Sequence, residues 1–261
     1  MNLRFTSVKV ILITAILMSL TFTARSGYVL NGSASSTGGD CFILTPDIGW
    51  QGGSVWYENF LSLNYDFDMS FQVYLGTHDG DGADGIAFVM QPNSTAAGGI
   101  GGGIGYLGIT PSIAVEYDTW QNDDPWYDHV SVQRNGDVNF SGAVAGPVQA
   151  SVVSDNIEDG LWHTTQITWD AASKTLSVYF DGNLRLTYTD DITTNTFGGN
   201  PLVYWGFTGA TGAAANLQQF CVTNLIFEEV PPTSVPLSPW AIAFTISLIL
   251  AVALFRFRKS L

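Results

Sequence analysis

Short runs of strand composition follow one another from residue 27 to about residue 230, and nothing in this region has a convincing helical period. Branched or aromatic side chains alternate with polar ones in these runs, as in strands that bury one face. Glycine-rich segments connect the runs. This succession predicts an all-β fold of two packed sheets, a β-sandwich. We assign strands to Ser70–Leu75, Gly85–Met90, Ile113–Thr119, His163–Asp170, Thr175–Phe180 and Leu202–Thr208.

Two connections have recognisable turn chemistry. Asn135-Gly136, which lies between Val132 and Val138, predicts a two-residue hairpin turn, because both residues tolerate a positive φ. Residues 171–174 predict a slightly longer turn that joins two of the assigned strands.

The N-terminal segment has the composition of an export signal. Residues 1–26 contain Arg4 and Lys9, an apolar run from Val10 to Leu20, and Ala24-Arg25-Ser26 as a small-x-small cleavage sequence. This order predicts a secretory signal peptide. An uncleaved membrane anchor is the alternative.

The C-terminal segment predicts a second contact with the membrane. Residues 237–255 carry no charge and are long enough to span a bilayer, and three basic residues follow within 256–259. The positive-inside rule keeps such a basic tail in the cytoplasm. We therefore expect an exported domain at residues 27–230, on the cell surface or in the surrounding matrix, a Pro-rich linker at 231–236 and a transmembrane or sorting segment at 237–261.

This C-terminal pattern resembles the PEP-CTERM type of sorting signal, although its Pro-Glu-Pro signature is missing. The resemblance implies recognition, and in many cases cleavage, by an exosortase-like membrane enzyme. A permanent anchor is the alternative.

The charge of the exported region limits its partners. All 23 acidic residues lie in residues 27–230 against three basic ones, so this region has a net charge of −20. Nucleic acids and anionic membranes are poor partners for such a surface. Calcium and neutral glycans are compatible with it.

Cys41 and Cys221 are the two cysteines of the chain. In an exported protein, a pair with one member near each end of the domain predicts a disulfide. Two separate free thiols are the alternative.

The densest set of metal-ligand side chains follows one strand. Glu116 and Asp118 alternate with apolar residues and therefore point to the same side, and Asn122, Asp124 and His129 come shortly after. The oxygen donors of Asp118, Asn122 and Asp124 suit calcium, which takes 6–8 oxygen ligands. Glu116 and His129 add a mixed nitrogen and oxygen set that suits manganese or another transition ion. A solvated acidic loop without an ion is the alternative.

The motif Glu116-x-Asp118-Thr119-Trp120-x-Asn122, followed by Asp124-Pro125 and His129, resembles the metal-binding loop of the L-type (legume-like) lectins, in particular of bacterial members with an Asp-Thr-Trp core. Three further stretches match that family in the same order, namely Asp81–Phe88, the glycine loop Gly98–Gly108 and Gly206–Gly212. The resemblance implies a concanavalin-like jelly roll that binds carbohydrate without catalysis. It also implies a calcium ion with the Trp120 carbonyl among its ligands.

The same resemblance implies a set of sugar-binding residues. Asp84, after a cis Ala83–Asp84 peptide bond, accepts hydrogen bonds from sugar hydroxyls, and Asn122 contributes its amide. The expected carbohydrate-binding residues are Asp84, Gly103 or Gly105 through a backbone N–H, Asn122, and Gly209 and Ala210 in the loop that sets monosaccharide preference. The aromatic candidates for stacking on a sugar are Trp120, Trp126 and Tyr127.

Two other functions remain open at this point. Laminarinase-like glycoside hydrolases share the sandwich architecture, but the positions that should supply the catalytic acid hold Trp120 and Gln121. A structural surface or matrix protein could keep the sandwich and the metal without sugar affinity, in which case Asp84 would be an ordinary turn residue. The sequence also leaves a homo-oligomer open.

Overall fold

The structure is a computed structural model that describes residues 27–95 and 99–230. In chain order, its strands are β1 (Tyr28–Gly32), β2 (Ser35–Gly38), β3 (Cys41–Thr45), β4 (Gly52–Tyr57), β5 (Phe60–Ser62), β6 (Phe67–Tyr74), β7 (Gly85–Gln91), β8 (Ile113–Asp118), β9 (His129–Arg134), β10 (Ala145–Gln149), β11 (His163–Asp170), β12 (Thr175–Phe180), β13 (Asn183–Thr189), β14 (Leu202–Ala210), β15 (Gln218–Ile226) and β16 (Glu229–Val230). One short helix, α1 (Ile192–Asn195), begins after the N-cap residue Asp191.

The described strands form two antiparallel sheets. A nine-stranded sheet has the order β1-β4-β14-β7-β8-β9-β10, with β5 and β16 attached beside β14. A seven-stranded sheet has the order β13-β12-β11-β6-β15-β3-β2. This arrangement confirms the predicted all-β sandwich of two sheets.

The main core lies between the two sheets. Phe71 from the seven-stranded sheet packs against Phe88, Trp205 and Phe207 from the nine-stranded sheet, with ring centroids 4.8–5.9 Å apart. A second, smaller core lies on the outer face of the nine-stranded sheet, where residues 101–109 cover it. Its buried members are Trp56, Ala87, Val89, Ile104, Tyr106 and Ala114. The glycine loop is therefore packed against the sheet and has a fixed place beside β8.

Each of the six predicted strands is present, and β11 and β12 have the predicted bounds. The predicted hairpin after β9 is wrong in part. Asn135 and Gly136 do have positive φ angles, of 61° and 70°. However, the strand that pairs with β9 is β10, which begins only at Ala145. The turn at residues 135–136 packs against residues 108–112 and bonds to Ser112. The chain then forms a 3-10 turn at Phe140–Gly142 before β10.

The predicted disulfide is confirmed. Cys41 and Cys221 lie directly opposite each other on β3 and β15 and are bonded. The segments predicted as signal peptide (1–26), linker (231–236) and membrane or sorting segment (237–261) lie outside the described residues. Within residues 27–95 and 99–230, no helix has both the length and the apolar character needed to cross a bilayer.

Candidate ligand and metal site

Residues that pair side by side across four neighbouring strands of the nine-stranded sheet bring the candidate residues together. Ala210 at the end of β14 pairs with Gly85 at the start of β7, Gly85 pairs with Asp118 at the end of β8, and Asp118 pairs with His129 at the start of β9. Asp84 directly precedes Gly85 in the chain. Residues that are far apart in the chain therefore meet at one end of the sandwich.

The metal candidates include a compact group of three. Asp118, Asp124 and His129 each offer a ligand atom, and these atoms lie within 4.8 Å of one another. Burial raises the pKa of Asp118 well above its usual value, and the nearby carboxylate of Glu116 raises it further. Burial also lowers the pKa of His129, which favours the neutral imidazole that binds metals. Two crowded carboxylates beside a neutral imidazole form a donor set that fits a divalent cation.

The loop between β8 and β9 presents Asp124 to this group. Asp124 Oδ1 accepts the backbone N–H of Asn122 at 2.8 Å, and Asp118 Oδ1 accepts the backbone N–H of Trp120 at 2.9 Å. Two neighbouring acids have other positions: Asp123 is exposed, and Asp128 Oδ2 accepts the N–H of Ile157 at 2.7 Å. The geometry thus favours Asp124 over Asp123 or Asp128 as a ligand.

Glu116 has different partners from those that the sequence suggests. Its Oε1 accepts the hydroxyl of Tyr106 at 3.0 Å, and its Oε2 accepts Ser131 Oγ at 3.0 Å and Gln133 Nε2 at 3.2 Å. Burial raises the pKa of Glu116 to about 7, although these hydrogen bonds lower it. Glu116 does not belong to the group of three described above. It instead joins the glycine loop to β8 through Tyr106, a residue that the sequence did not single out.

Asp84 is a buried carboxylate without a full set of partners. Its side chain is 5% exposed, and Oδ2 has no hydrogen-bond donor among the described residues. Burial raises the pKa of Asp84 to about 6. The Ala83–Asp84 peptide bond is cis, as the family resemblance implied. A ligand that supplies hydroxyl donors to this carboxylate would satisfy it.

The glycine loop reaches this site at Gly101 and Gly102. A Cβ placed on Gly212 would lie 3.3 Å from Asp84 Oδ2 and 3.7 Å from the Gly101 Cα. A Cβ on Gly102, which is exposed, would lie 3.9 Å from Asn122 Nδ2. Gly101 and Gly102 therefore lie between Asp84 and Asn122, where a sugar-binding backbone N–H was expected.

The glycines that the sequence suggested have structural positions. Gly103 is buried, and a Cβ there would lie 2.9 Å from Leu107 Cβ. Gly105 has a φ of 74°, and a Cβ there would lie 2.9 Å from the backbone nitrogen of Gly209. A Cβ on Gly105 would thus meet β14 of the sheet, whereas a Cβ on Gly103 would meet another residue of the loop. The contact of either backbone N–H with a sugar stays a prediction.

The expected specificity residues Gly209 and Ala210 lie inside the sandwich. A Cβ on Gly209 would lie 2.7 Å from Gln218 Oε1, and Ala210 is fully buried. The Ala210 carbonyl accepts the N–H of Asp84 at 2.9 Å. These residues therefore hold Asp84 through the backbone, and Gly212, two residues later, faces its carboxylate.

Asn216 links the surrounding loops and has no local sequence signal. Its Oδ1 accepts the backbone N–H groups of Thr77 and His78 at 3.1 and 3.2 Å. Its Nδ2 donates to the His78 carbonyl at 2.9 Å and to the buried carboxylate of Glu158. Burial, together with the charge of Asp128, raises the pKa of Glu158 to about 8. A single buried amide thus joins the loops at residues 76–82, 158 and 211–216.

The aromatic candidates lie beside the metal group. Trp120 is half-buried, and its carbonyl accepts Asn122 Nδ2 at 3.4 Å. An open cavity of about 320 Å³ is lined by Trp120, Trp126 and Tyr127 together with Asp118 and His129. Trp126 packs edge-on against Tyr127, with ring centroids 5.8 Å apart, and is largely exposed.

Sequence comparison identifies related proteins. The profile of the legume lectin beta-barrel domain matches residues 21–224. Pesticidal crystal protein Cry22Aa of Bacillus thuringiensis is 29% identical over 205 residues, which are 66% of this chain and 27% of that protein. Lectin-4 of Griffonia simplicifolia is 33% identical over 123 residues, which are 43% of this chain and 48% of that protein. The chain thus matches less than half the length of these curated relatives.

Solved structures share the fold. Metal-free lectin I-B4 from Griffonia simplicifolia superposes with a TM-score of 0.63 at 22% identity, over 81% of this chain and 96% of that chain. The Bauhinia forficata lectin in complex with GalNAc gives 0.62 at 23% identity, over 80% and 95% of the two chains. The exoplasmic/lumenal domain of VIP36, in a Ca²⁺/Man-bound form, gives 0.60 at 18% identity, over 79% and 85%. Since the domain profile covers most of the described chain, this protein belongs to the family of the legume lectin beta-barrel domain.

Proposed function

We propose that this protein is a calcium-dependent lectin, which binds carbohydrate without chemical conversion at the end of the sandwich that carries Asp84. The observation that carries the proposal is the buried carboxylate of Asp84, whose Oδ2 lacks a donor among the described residues. Sugar hydroxyls are donors of the required kind, and hydrogen bonds to a carboxylate are among the stronger ones. The Asn122 amide and the backbone N–H of Gly102 would complete this site.

Calcium has a supporting role in the proposal. Asp118 and Asp124 would hold the ion, with Asn122 and the Trp120 carbonyl close by, and His129 would bind a neighbouring manganese or other transition ion. The charge of a bound cation would favour the ionised form of Asp118. Because Asn122 belongs to both sets, ion binding would also fix the amide that meets the sugar.

The sugar class is proposed from the family. The GalNAc and mannose complexes of structural relatives are properties of those proteins. They make neutral sugars the first ligands to test here, which agrees with the net charge of −20 in residues 27–230. A structural protein that uses the same ion for stability is the second candidate, and the unsatisfied carboxylate of Asp84 argues against it.

The cellular setting is also a proposal. The composition of residues 1–26 and 237–261 supports a bacterial protein that is exported and either anchored in the membrane or released by an exosortase-like enzyme. Mass spectrometry of the mature protein from its own cells would identify both termini. A mature chain that keeps residues 1–26, or that is found in the cytoplasm, would contradict this setting.

The test of the sugar site compares two aspartates. Asp84→Asn should abolish glycan binding by the full chain on a glycan array, whereas Asp123→Asn, at an exposed position next to Asn122, should bind like the parent. Unchanged binding by a folded Asp84→Asn protein would show that the site assignment is wrong.

A further inference from the structure

An exposed tryptophan lies beside the proposed sugar site. Trp50, in the loop between β3 and β4, is 67% exposed, and neighbouring Ile48 is 58% exposed. Among the described residues, the Trp50 ring has no stacking or edge contact with another aromatic ring. A large aromatic side chain left in water without a packing partner is a frequent feature of binding surfaces.

The backbone holds Trp50 firmly. Its N–H donates to the Gly212 carbonyl at 2.9 Å, and Gln51 and Thr211 exchange two backbone-directed hydrogen bonds of 2.9 Å. Thr211 Oγ1 in turn donates to the Ile48 carbonyl at 2.7 Å. Trp50 has a φ of 62°, which is uncommon for a bulky residue. The loop at residues 48–51 is thus fastened to residues 211–212.

Gly212 connects Trp50 with the carboxylate of Asp84. Its carbonyl accepts the Trp50 N–H, while a Cβ at the same residue would lie 3.3 Å from Asp84 Oδ2. The backbone of Trp50 is therefore bonded to the residue that faces the Asp84 carboxylate. Trp126, which is also highly exposed, lines the cavity beside Asp118 and His129 instead.

We propose that Trp50 is a second carbohydrate subsite, a stacking platform for the sugar ring next to the one that Asp84 binds. The apolar face of a pyranose ring is of similar size to an indole. Because the backbone of Trp50 is already held, binding has to fix only its two side-chain torsions. The substrate class is accordingly an oligosaccharide of at least two rings. This inference rests on the proposed lectin function and adds to it the chain length of the ligand.

The test uses the full chain with calcium on an array of mono-, di- and trisaccharides that end in galactose, N-acetylgalactosamine, mannose, glucose or fucose. The parent should bind oligosaccharides more tightly than the matching methyl glycosides. The affinity of Trp50→Ala for oligosaccharides should be roughly threefold to tenfold lower than that of the parent, which is the range expected for an aromatic contact. Its affinity for monosaccharides should be unchanged. Trp50→Phe should recover part of the loss.

Two control variants separate the outcomes. Trp162→Ala removes another exposed tryptophan, whose ring packs on Tyr74, and should leave both affinities unchanged. If Trp50→Ala keeps the preference for oligosaccharides, the subsite proposal is wrong and the lectin function stands. The same conclusion follows if Trp126→Ala loses that preference instead. A parent that binds nothing on the array overturns both proposals, and retained monosaccharide binding shows that Trp50→Ala is folded.

Discussion

Gln218 Nε2, in the seven-stranded sheet, donates a hydrogen bond of 3.0 Å to the carbonyl of Ala83. Ala83 and Asp84 directly precede β7 of the opposite sheet. It also lies 3.3 Å from the Ala210 carbonyl, which accepts the N–H of Asp84. One fully buried amide therefore holds both carbonyls that flank the proposed sugar-binding carboxylate.

Replacing this amide should weaken both folding and sugar binding. In Gln218→Leu the Ala83 carbonyl loses its donor, which costs about 1–3 kcal/mol of stability, and glycan affinity should fall at least about tenfold because Asp84 is less firmly placed. Gln219→Leu, on the opposite face of the same strand, is the matched control. Equal glycan affinities of Gln218→Leu and the parent, measured by calorimetry, would disprove this positioning role.

Removal of one metal ligand should separate ion binding from folding. Asp118→Asn keeps an acceptor for the Trp120 N–H but lacks the charge that holds calcium. Calcium at one hundred times its Kd should stabilise the parent by about 2.7 kcal/mol and leave the variant unchanged. Thermal unfolding with calcium and with a chelator measures this difference, and Asp123→Asn should behave like the parent. A variant that calcium still stabilises fully would exclude Asp118 as a ligand.

The buried carboxyl of Glu158 predicts how the stability of the metal-free protein depends on pH. Its pKa rises from the ordinary 4.5 to about 8 in the folded state, so folding favours the protonated form. The stability is fully present below pH 4.5 and falls as the pH rises from 4.5 to about 8, by up to roughly 5 kcal/mol at about 1.4 kcal/mol per pKa unit.

The variant Glu158→Gln tests this dependence, because it keeps an acceptor for Asn216 without a charge. It should be more stable than the parent above pH 8 and not below pH 4.5. Glu228→Gln, at an exposed position, should show no such difference. A loss of stability in Glu158→Gln at high pH would contradict the assigned protonation.

The disulfide should matter for stability and not for the ligand. Its two cysteines are 180 residues apart, and loss of a bond that closes so long a loop typically costs about 2–5 kcal/mol. Denaturant unfolding of the double variant Cys41→Ala/Cys221→Ala measures that loss. Glycan affinity should persist below the unfolding transition, because neither cysteine contacts Asp84 or Asn122. Unchanged stability would show that the bond adds nothing to this fold.

The sequence predicts the sheets well because their signals are local. Alternation marks β6, β8 and β11 directly, and the motif from Glu116 to His129 carries most of the metal group in a single stretch. Asn135-Gly136 forms its turn, but the partner strand begins later than the pattern indicates. That outcome depends on how the turn packs against Ser112, which is a tertiary contact.

The parts of the site that sequence reasoning missed depend on register. Gln218, Asn216 and Tyr106 are ordinary polar or aromatic residues in their own segments, and they gain their roles only when the two sheets and the glycine loop come together. The same holds within the glycine loop, where consecutive glycines look alike in the sequence. Packing against Leu107 and Gly209 gives Gly103 and Gly105 their places in the loop, whereas Gly102 lies beside Asn122.

The most direct test of calcium-dependent sugar binding is a glycan array probed with the full chain, once with calcium and once with a chelator. We predict binding to a coherent set of neutral glycans that share a terminal sugar, and loss of that binding when calcium is removed. A folded protein that binds no glycan under either condition would contradict the lectin function and favour a structural role for the same sandwich.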